Sequence, residues 1–356
     1  MKGVQLGEEA LDNLFKSLLA EGIVDVLIIP QKIGENVAYT MVSDPEKLKS
    51  PAIFTPIFTV NAANVLKHMP AEKKIGVVFK PCETKAAIEL VKLEQFEKDS
   101  VLMITVGCPG TYKLEDYNKH ADEIGDKLDD SKIEQLKAAG CEIRPACKIC
   151  EDKLLETGDV LIDRTDGNIL VAAISEMGEE ALTVIGEIEL TDIDTSALES
   201  KRSAIIESAK PFREEWKTAS EELRDLDKFL EVFKDCIVCK NCRDMCPVCY
   251  CKTCFFEQPL GKPEGVDLLN IVGLRGSIKV PSDSLLFQLT RMYHDCFTCV
   301  HCGACADACP KEIPLTNIFP WISEKVKELF EYKSGRDVEE TLPLLTYQED
   351  ELQPRE

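Results

Sequence analysis

Residues 75–110 read IGVVFKPCETKAAIELVKLEQFEKDSVLMITVGCPG. Two unbroken apolar runs, 75–79 and 101–106, bracket a helical segment over Glu83–Leu93. Apolar runs without polar alternation are strands covered on both faces, and two of them joined through a helix make a βαβ unit with parallel strands. Cys82 directly follows the first run and Cys108 the second. Both are therefore expected at the carboxyl edge of the sheet, where open α/β sheets bind ligands. Upstream, Leu11, Leu14, Phe15, Leu18 and Leu19 recur at helical spacing within Glu8–Ala20, and Gly22 can cap that helix before the strand IVDVLII. Downstream, TGDVLIDRTDGNILVAAIS reads as a hairpin with Asp166 and Gly167 in its turn. The N-terminal half is thus expected to be an α/β domain with a largely parallel sheet.

The chain has 17 cysteines. Five lie between Cys82 and Cys150, seven between Cys236 and Cys254, and five between Cys296 and Cys309. Dense disulfide bridging belongs to small secreted domains, so metal is the better reading. CIVCKNCRDMCP from Cys236 and CVHCGACADACP from Cys299 both carry the spacing C-x2-C-x2-C-x3-C-P of bacterial ferredoxins. In that pattern the fourth cysteine of each run binds the other run's four-iron cluster. Cys236, Cys239, Cys242 and Cys309 are therefore assigned to one 4Fe–4S cluster, and Cys299, Cys302, Cys305 and Cys246 to a second. Zinc ribbons, the alternative, present two separated CxxC pairs instead of four cysteines in one short run.

Cys249, Cys251, Cys254 and Cys296 are left over, enough for a further cluster if the insert 250–295 loops out and returns; otherwise they are buried free thiols. Cys242, Cys246 and Cys249 also fit the C-x3-C-x2-C spacing of radical chemistry on S-adenosylmethionine, but two of them already have ferredoxin roles. In CEIRPACKICED, after a helix expected around Ile133 to Ala139, Cys147 and Cys150 can complete a four-cysteine site with Cys82 and Cys108, leaving Cys141 spare.

With 356 residues, 44% of them hydrophobic, the chain can bury more than one core. The formal charge of -22 argues against nucleic acid as a partner, because phosphate affinity needs clustered Lys and Arg. No apolar run approaches the roughly 18 residues that span a bilayer, and the start has acids where a signal peptide is basic and then apolar. A cytoplasmic location is expected. Residues 198–235 read as a charged helical connector broken near Pro211. Residues 337–356 have seven acids against one base and read as a solvated or partner-bound tail. Lys252, Arg275 and Arg291 read either as a docking patch for an anionic carrier or as solvated surface. VGLRGS is too short for a nucleotide loop, and four histidines offer no Ser/His/Asp arrangement.

FKPCETKAAIELVKL, VLMITVGCPGT, RPACKICED, the ferredoxin pair and LFQLTRMYHDC occur in one order. In that order the chain resembles the beta subunit of coenzyme F-420-reducing hydrogenase and of F-420-dependent formate dehydrogenase, an iron–sulfur flavoprotein family of anaerobes, over about Val24 to Pro320. The resemblance implies FAD beside a four-iron cluster in the N-terminal domain, with Lys80, Gly107, Pro109 and Gly110 near the isoalloxazine and F-420 deazaflavin as a further carrier. Family members open their first helix with a cysteine and paired glycines, where this chain has Gly7 alone.

The reading is an α/β domain over 1–197, a connector over 198–235, a ferredoxin-like α+β two-cluster domain over 236–320 with insert 250–295, and an acidic tail over 321–356. The expected function is that of an electron-transfer subunit of an anaerobic oxidoreductase complex, inactive alone, in a hetero-oligomer with a catalytic subunit of formate dehydrogenase or hydrogenase type. The acceptor is a flavin, F-420 or a heterodisulfide-reductase-type partner. A flavin-free relay is the alternative function, and a colourless zinc scaffold a third.

Overall fold

The computed structural model describes residues 1–346 except 35, 59, 71, 121–134, 166–167, 186–189, 259–263 and 277–283. Its frame is one eight-stranded sheet of order β3-β2-β4-β5-β6-β7-β1-β8. The strands are β1 (Lys2–Leu6), β2 (Val26–Ile33), β3 (Asn36–Val42), β4 (Ile75–Phe79), β5 (Val101–Val106), β6 (Val160–Thr165), β7 (Asn168–Ala173) and β8 (Thr191–Asp192). Strands β2, β4, β5 and β6 run parallel, and antiparallel pairs close both sides. Strands β6 and β7 pair from Thr165↔Asn168 to Val160↔Ala173 as the hairpin reading requires, while Asp166 and Gly167 lie outside the described residues.

Helix α1 (Glu8–Ala20) has the expected bounds and buries the five expected residues. It packs on the face of the sheet formed by Val78, Leu102, Ile104, Val106 and Ile162. Helix α2 (Ala63–Leu66) and helix α3 (Pro81–Lys92) cover the other face, formed by Val77, Phe79, Val101 and Met103. Alternate residues of β4 and β5 thus enter different cores, and the runs are apolar throughout because neither face meets water. Helix α3 begins two residues before the expected Glu83: Pro81 supplies a pre-set first turn, and the Glu83 carboxylate accepts the Lys80 N–H at 2.7 Å.

Next in the chain come α4 (Leu114–Lys119), α5 (Pro145–Lys148) and α6 (Glu176–Leu182). The helix expected at 133–139 lies partly outside the described residues. Helix α7 (Ser196–Glu221) runs through Pro211 without the expected break. Proline removes one backbone donor and strains one turn. Beyond it the helix is held by Trp216, whose indole N–H donates to the Thr316 carbonyl at 2.9 Å, and by Arg213, which meets Glu151 at 3.2 Å and Glu324 at 2.7 Å. The break falls instead before α8 (Leu226–Phe233), where Asp225 accepts the N–H groups of Asp227 and Lys228.

The C-terminal module contains α9 (Asn241–Asp244), α10 (Gly265–Arg275), α11 (Ser284–Asp295), α12 (Ala304–Asp307) and α13 (Phe319–Leu329). No strand occurs among its described residues, so the α+β expectation is corrected there. The cysteine runs turn in four-residue helices, and helices α8, α11 and α13 supply the apolar packing around Phe233, Phe287 and Phe319. The module docks on the α2 and α3 face, where Val248 and Val300 join the sheet's core. Up to Thr346 the tail is partly packed. Tyr332 donates to Glu89 of α3 at 2.6 Å, the Gly335 N–H donates to the same carboxylate at 2.8 Å, and Leu342 is buried.

Candidate metal centres

Cys82 stands in the first turn of α3 directly after β4, Cys108 two residues beyond β5, Cys147 in α5 and Cys150 just after it. Chain topology thus delivers two cysteines from strand ends and two from one short helix to a single cavity, also lined by Lys80, Thr111, Arg144, His301 and Cys302. The Thr111 hydroxyl lies 3.3 Å from the Cys147 sulfur. Burial pushes the Cys82 thiol far up, with Cys302 adding to it, and pushes Cys150 up to about 12 with help from Cys147. Cys108 is raised by burial and held back by Lys80. Crowded, desolvated thiols resist ionising unless a cation compensates them, and iron supplies that charge as the protons leave. The donor set fits a four-iron cluster with a thiolate at each corner. Among the described residues no three Cys, His, Asp or Glu side chains close on a single-ion site, whereas a tetrahedral zinc needs its sulfurs within about 2.3 Å of one point.

The two ferredoxin runs share one backbone conformation. Val238 and Lys240 in the first, and His301 and Gly303 at the equivalent places in the second, all have left-handed φ, between 50° and 73°. Three of the four are not glycine, and such a backbone costs about 1–3 kcal/mol per residue unless its surroundings impose it. Cys236, Cys239, Cys242 and Cys309 line one cavity, so a cysteine of the second run joins three of the first. Conversely, Cys246 of the first run packs against the same apolar core as Cys302 of the second. Burial pushes Cys246 and Cys305 well up and Cys302 to about 11. Lys327 of α13 donates to the Cys299 carbonyl, and burial lowers its ammonium to about 8.

Cys249, Cys251 and Cys254 follow the first run, with Cys251 under the influence of Cys254 and burial pushing Cys249 up to about 12. Cys296 is buried at the end of α11 with its thiol on the Tyr293 carbonyl at 3.4 Å. Cys141, the spare, points its thiol at the Asp116 carbonyl at 3.5 Å. Lys80 and Gly110 line the four-cysteine cavity, Pro109 is exposed, and Gly107 packs so tightly that an added Cβ would stand 2.0 Å from an Asp163 oxygen.

Arg144 joins the two halves, and the cysteine pattern gave no sign of it. Its buried guanidinium donates to Thr111 Oγ1 at 3.1 Å and to the Cys302 carbonyl, reaches Asp307 at 2.7 Å and stacks on Phe58 at 4.5 Å. Gln288, Arg291 and Asp295 were also missed as neighbours of the cysteines. Their three- and four-residue spacing along α11 was the available signal. Arg291 is buried, so the docking-patch reading is corrected for it: Asp295 and the Cys242 carbonyl draw it inward, while Lys252 and Arg275 remain exposed.

Three groups of clustered cysteines on an α/β domain and a packed helical module define an iron–sulfur protein. Residues 232–313 match the family model of the 4Fe-4S dicluster domain, and residues 72–196 match that of the C terminus of the coenzyme F420 hydrogenase/dehydrogenase beta subunit. Similarity to named beta subunits extends along almost the whole chain. It is 29% identical to the F420-dependent formate dehydrogenase subunit beta of Methanocaldococcus jannaschii, covering 94% of this chain and 93% of that one. It is also 29% identical to the F420-dependent formate dehydrogenase 1 subunit beta of Methanococcus maripaludis, covering 93% and 91%. A chain from the F420-reducing [NiFe] hydrogenase complex of Methanosarcina barkeri superposes with a TM-score of 0.48 at 15% identity, over 61% of this chain and 91% of that one. Among the described residues no helix is long and apolar enough to cross a membrane.

Proposed function

We propose that this chain is the electron-transfer beta subunit of a cytoplasmic oxidoreductase complex. It relays electrons between a catalytic subunit of formate dehydrogenase or hydrogenase type and a flavin, F420 or heterodisulfide-reductase-type acceptor. The observation that carries the reading is continuity. Cys302 of the second ferredoxin run stands in the wall of the cavity of Cys82, Cys108, Cys147 and Cys150, and Cys242 and Cys305 pack in one core. The cysteine groups therefore follow one another as a chain. Four-iron clusters bound to Cys82/Cys108/Cys147/Cys150, Cys299/Cys302/Cys305/Cys246 and Cys236/Cys239/Cys242/Cys309 would supply single-electron carriers. The protein's part is to hold the thiolates, exclude water and fix the spacing. The divisions at 197, 235 and 320 belong to the same reading.

A flavin would convert paired electrons to single ones. The tight packing of Gly107 against Asp163 favours a second reading, in which this chain is a flavin-free relay and the converter lies in a partner. Anaerobic purification followed by iron assay, acid extraction and chromatography of each subunit tests both. About four irons per proposed set are expected, roughly twelve per chain. Iron-free folded material after reconstitution would sink the relay, and flavin found only in the partner selects the second reading.

A further inference from the structure

Helix α11 buries Phe287 and Met292 in the module's core, but its buried side is also polar. It exposes Leu286, Leu289 and Tyr293 and buries Gln288, Arg291 and Asp295, which are only 2%, 4% and 2% exposed. Burying an amide, a guanidinium and a carboxylate is costly unless each finds partners. Here the partners are the ferredoxin cysteines. The Gln288 amide donates to the sulfurs of Cys236 at 3.6 Å and Cys242 at 4.0 Å. Arg291 donates to the Cys242 carbonyl at 3.2 Å, to Asp295 at 3.4 Å and to the side-chain oxygen of Gln288 at 3.4 Å, and stacks on Phe319 at 4.5 Å. The Cys246 thiol stands 3.9 Å from Asp295 Oδ2. One helix face therefore carries a donor toward the Cys236/Cys242 side, a fixed positive charge in the middle and a negative charge toward Cys246.

We propose that Gln288, Arg291 and Asp295 set a potential difference between the two centres of the dicluster module, the centre at Cys236, Cys239, Cys242 and Cys309 being the more readily reduced. The inference rests on the two-cluster reading above. Hydrogen bonds to cluster sulfurs and nearby positive charge favour the reduced, more negative state, and a neighbouring carboxylate disfavours it. Gln288 acts on one centre, Asp295 on the other, and Arg291 on both: its charge also offsets the burial of Cys242, Cys246 and Cys305.

The test is an anaerobic redox titration of the full chain followed by EPR, with signals assigned through Cys239→Ser and Cys305→Ser. The Cys236-side centre is expected to reduce first, with a preference of at least about tenfold, about 59 mV for one electron. Gln288→Met, neutral and similar in volume, should lower that potential alone. Asp295→Asn should raise the other centre's potential. Either variant decides if the other loses iron. The reverse order in wild type, or variants that move both potentials together or neither, overturns the proposal. Wild-type protein without two four-iron signals would instead refute the two-cluster reading.

Discussion

Replacing Arg144 with methionine keeps an apolar stem over Phe58 and removes the charge that joins the α5 loop to the second ferredoxin run. The Arg144 side chain is 1% exposed and Asp307, 2.7 Å away, is 29% exposed. Removing one partner of a buried ion pair costs about 3–5 kcal/mol. Water reaches the orphaned Asp307, which favours the lower end, while the lost donors to Thr111 and the Cys302 carbonyl prevent a smaller figure. The expected loss is about 3 kcal/mol, roughly a 150-fold change in the folded-to-unfolded ratio. Arg144→Lys should recover only part of it, because an ammonium is a point charge where the guanidinium makes a fork. Adding Asp307→Asn to Arg144→Met should restore about 1 kcal/mol by removing the unpaired carboxylate. Anaerobic guanidinium denaturation, followed by Trp216 and Trp321 emission and by visible absorbance, measures these changes as midpoint shifts at constant slope. A loss under about 1 kcal/mol for Arg144→Met, unaffected by Asp307→Asn, would refute the view that Arg144 clamps the halves together.

The interleaved ligand sets predict that Cys242→Ala damages the centre containing Cys236, whereas Cys246→Ala damages the one containing Cys299. EPR of the reduced protein reads this, and loss of the Cys236-side signal alone in Cys246→Ala would disprove the crossing. Cys108→Ser should remove about four irons per chain and leave the dicluster signals intact. An unchanged iron content would exclude Cys108 as an indispensable ligand. Gly335→Ala should loosen the C-terminal segment, because Gly335 has φ +69° and a Cβ there would stand 2.5 Å from Lys85 Cα. A cost of about 1–3 kcal/mol is expected, with faster proteolysis after α13; wild-type resistance would show that the Glu89 anchorage tolerates the change.

Where the sequence carried periodicity, the structure was legible. Helix α1, strands β4 and β5 and the β6–β7 hairpin follow from apolar spacing, and the strand ends placed Cys82 and Cys108 at one cavity. Two kinds of information were hidden. Pro211 marked a local breaker, but Trp216 and Arg213 hold α7 through contacts with residues about a hundred positions away, which local propensity does not contain. Arg291 looked like a surface base because its partners, Cys242 and Asp295, come together only when the two runs fold against each other. Motif spacing identifies groups that must meet a metal, but it is silent about those that meet the motif.

That distinction bears on how the relay is held together. The cysteines are strong local signals, yet nothing in their spacing fixes the α/β cavity against the dicluster module. The contacts that do so come from other residues. Lys67 of the segment after α2 donates to the Pro247 and Cys249 carbonyls at 3.1 and 3.2 Å, Asn64 donates to the Asp244 carbonyl at 3.0 Å, and Arg144 spans to Cys302 and Asp307. All three engage backbone or carboxylate oxygens within three residues of a cysteine of the ferredoxin runs, leaving the cysteine sulfurs free for iron. The docking of the two modules is therefore held by side chains that touch the cysteine loops from outside. Substitutions at Lys67, Asn64 or Arg144 should alter transfer between the domains more than the spectrum of any one centre.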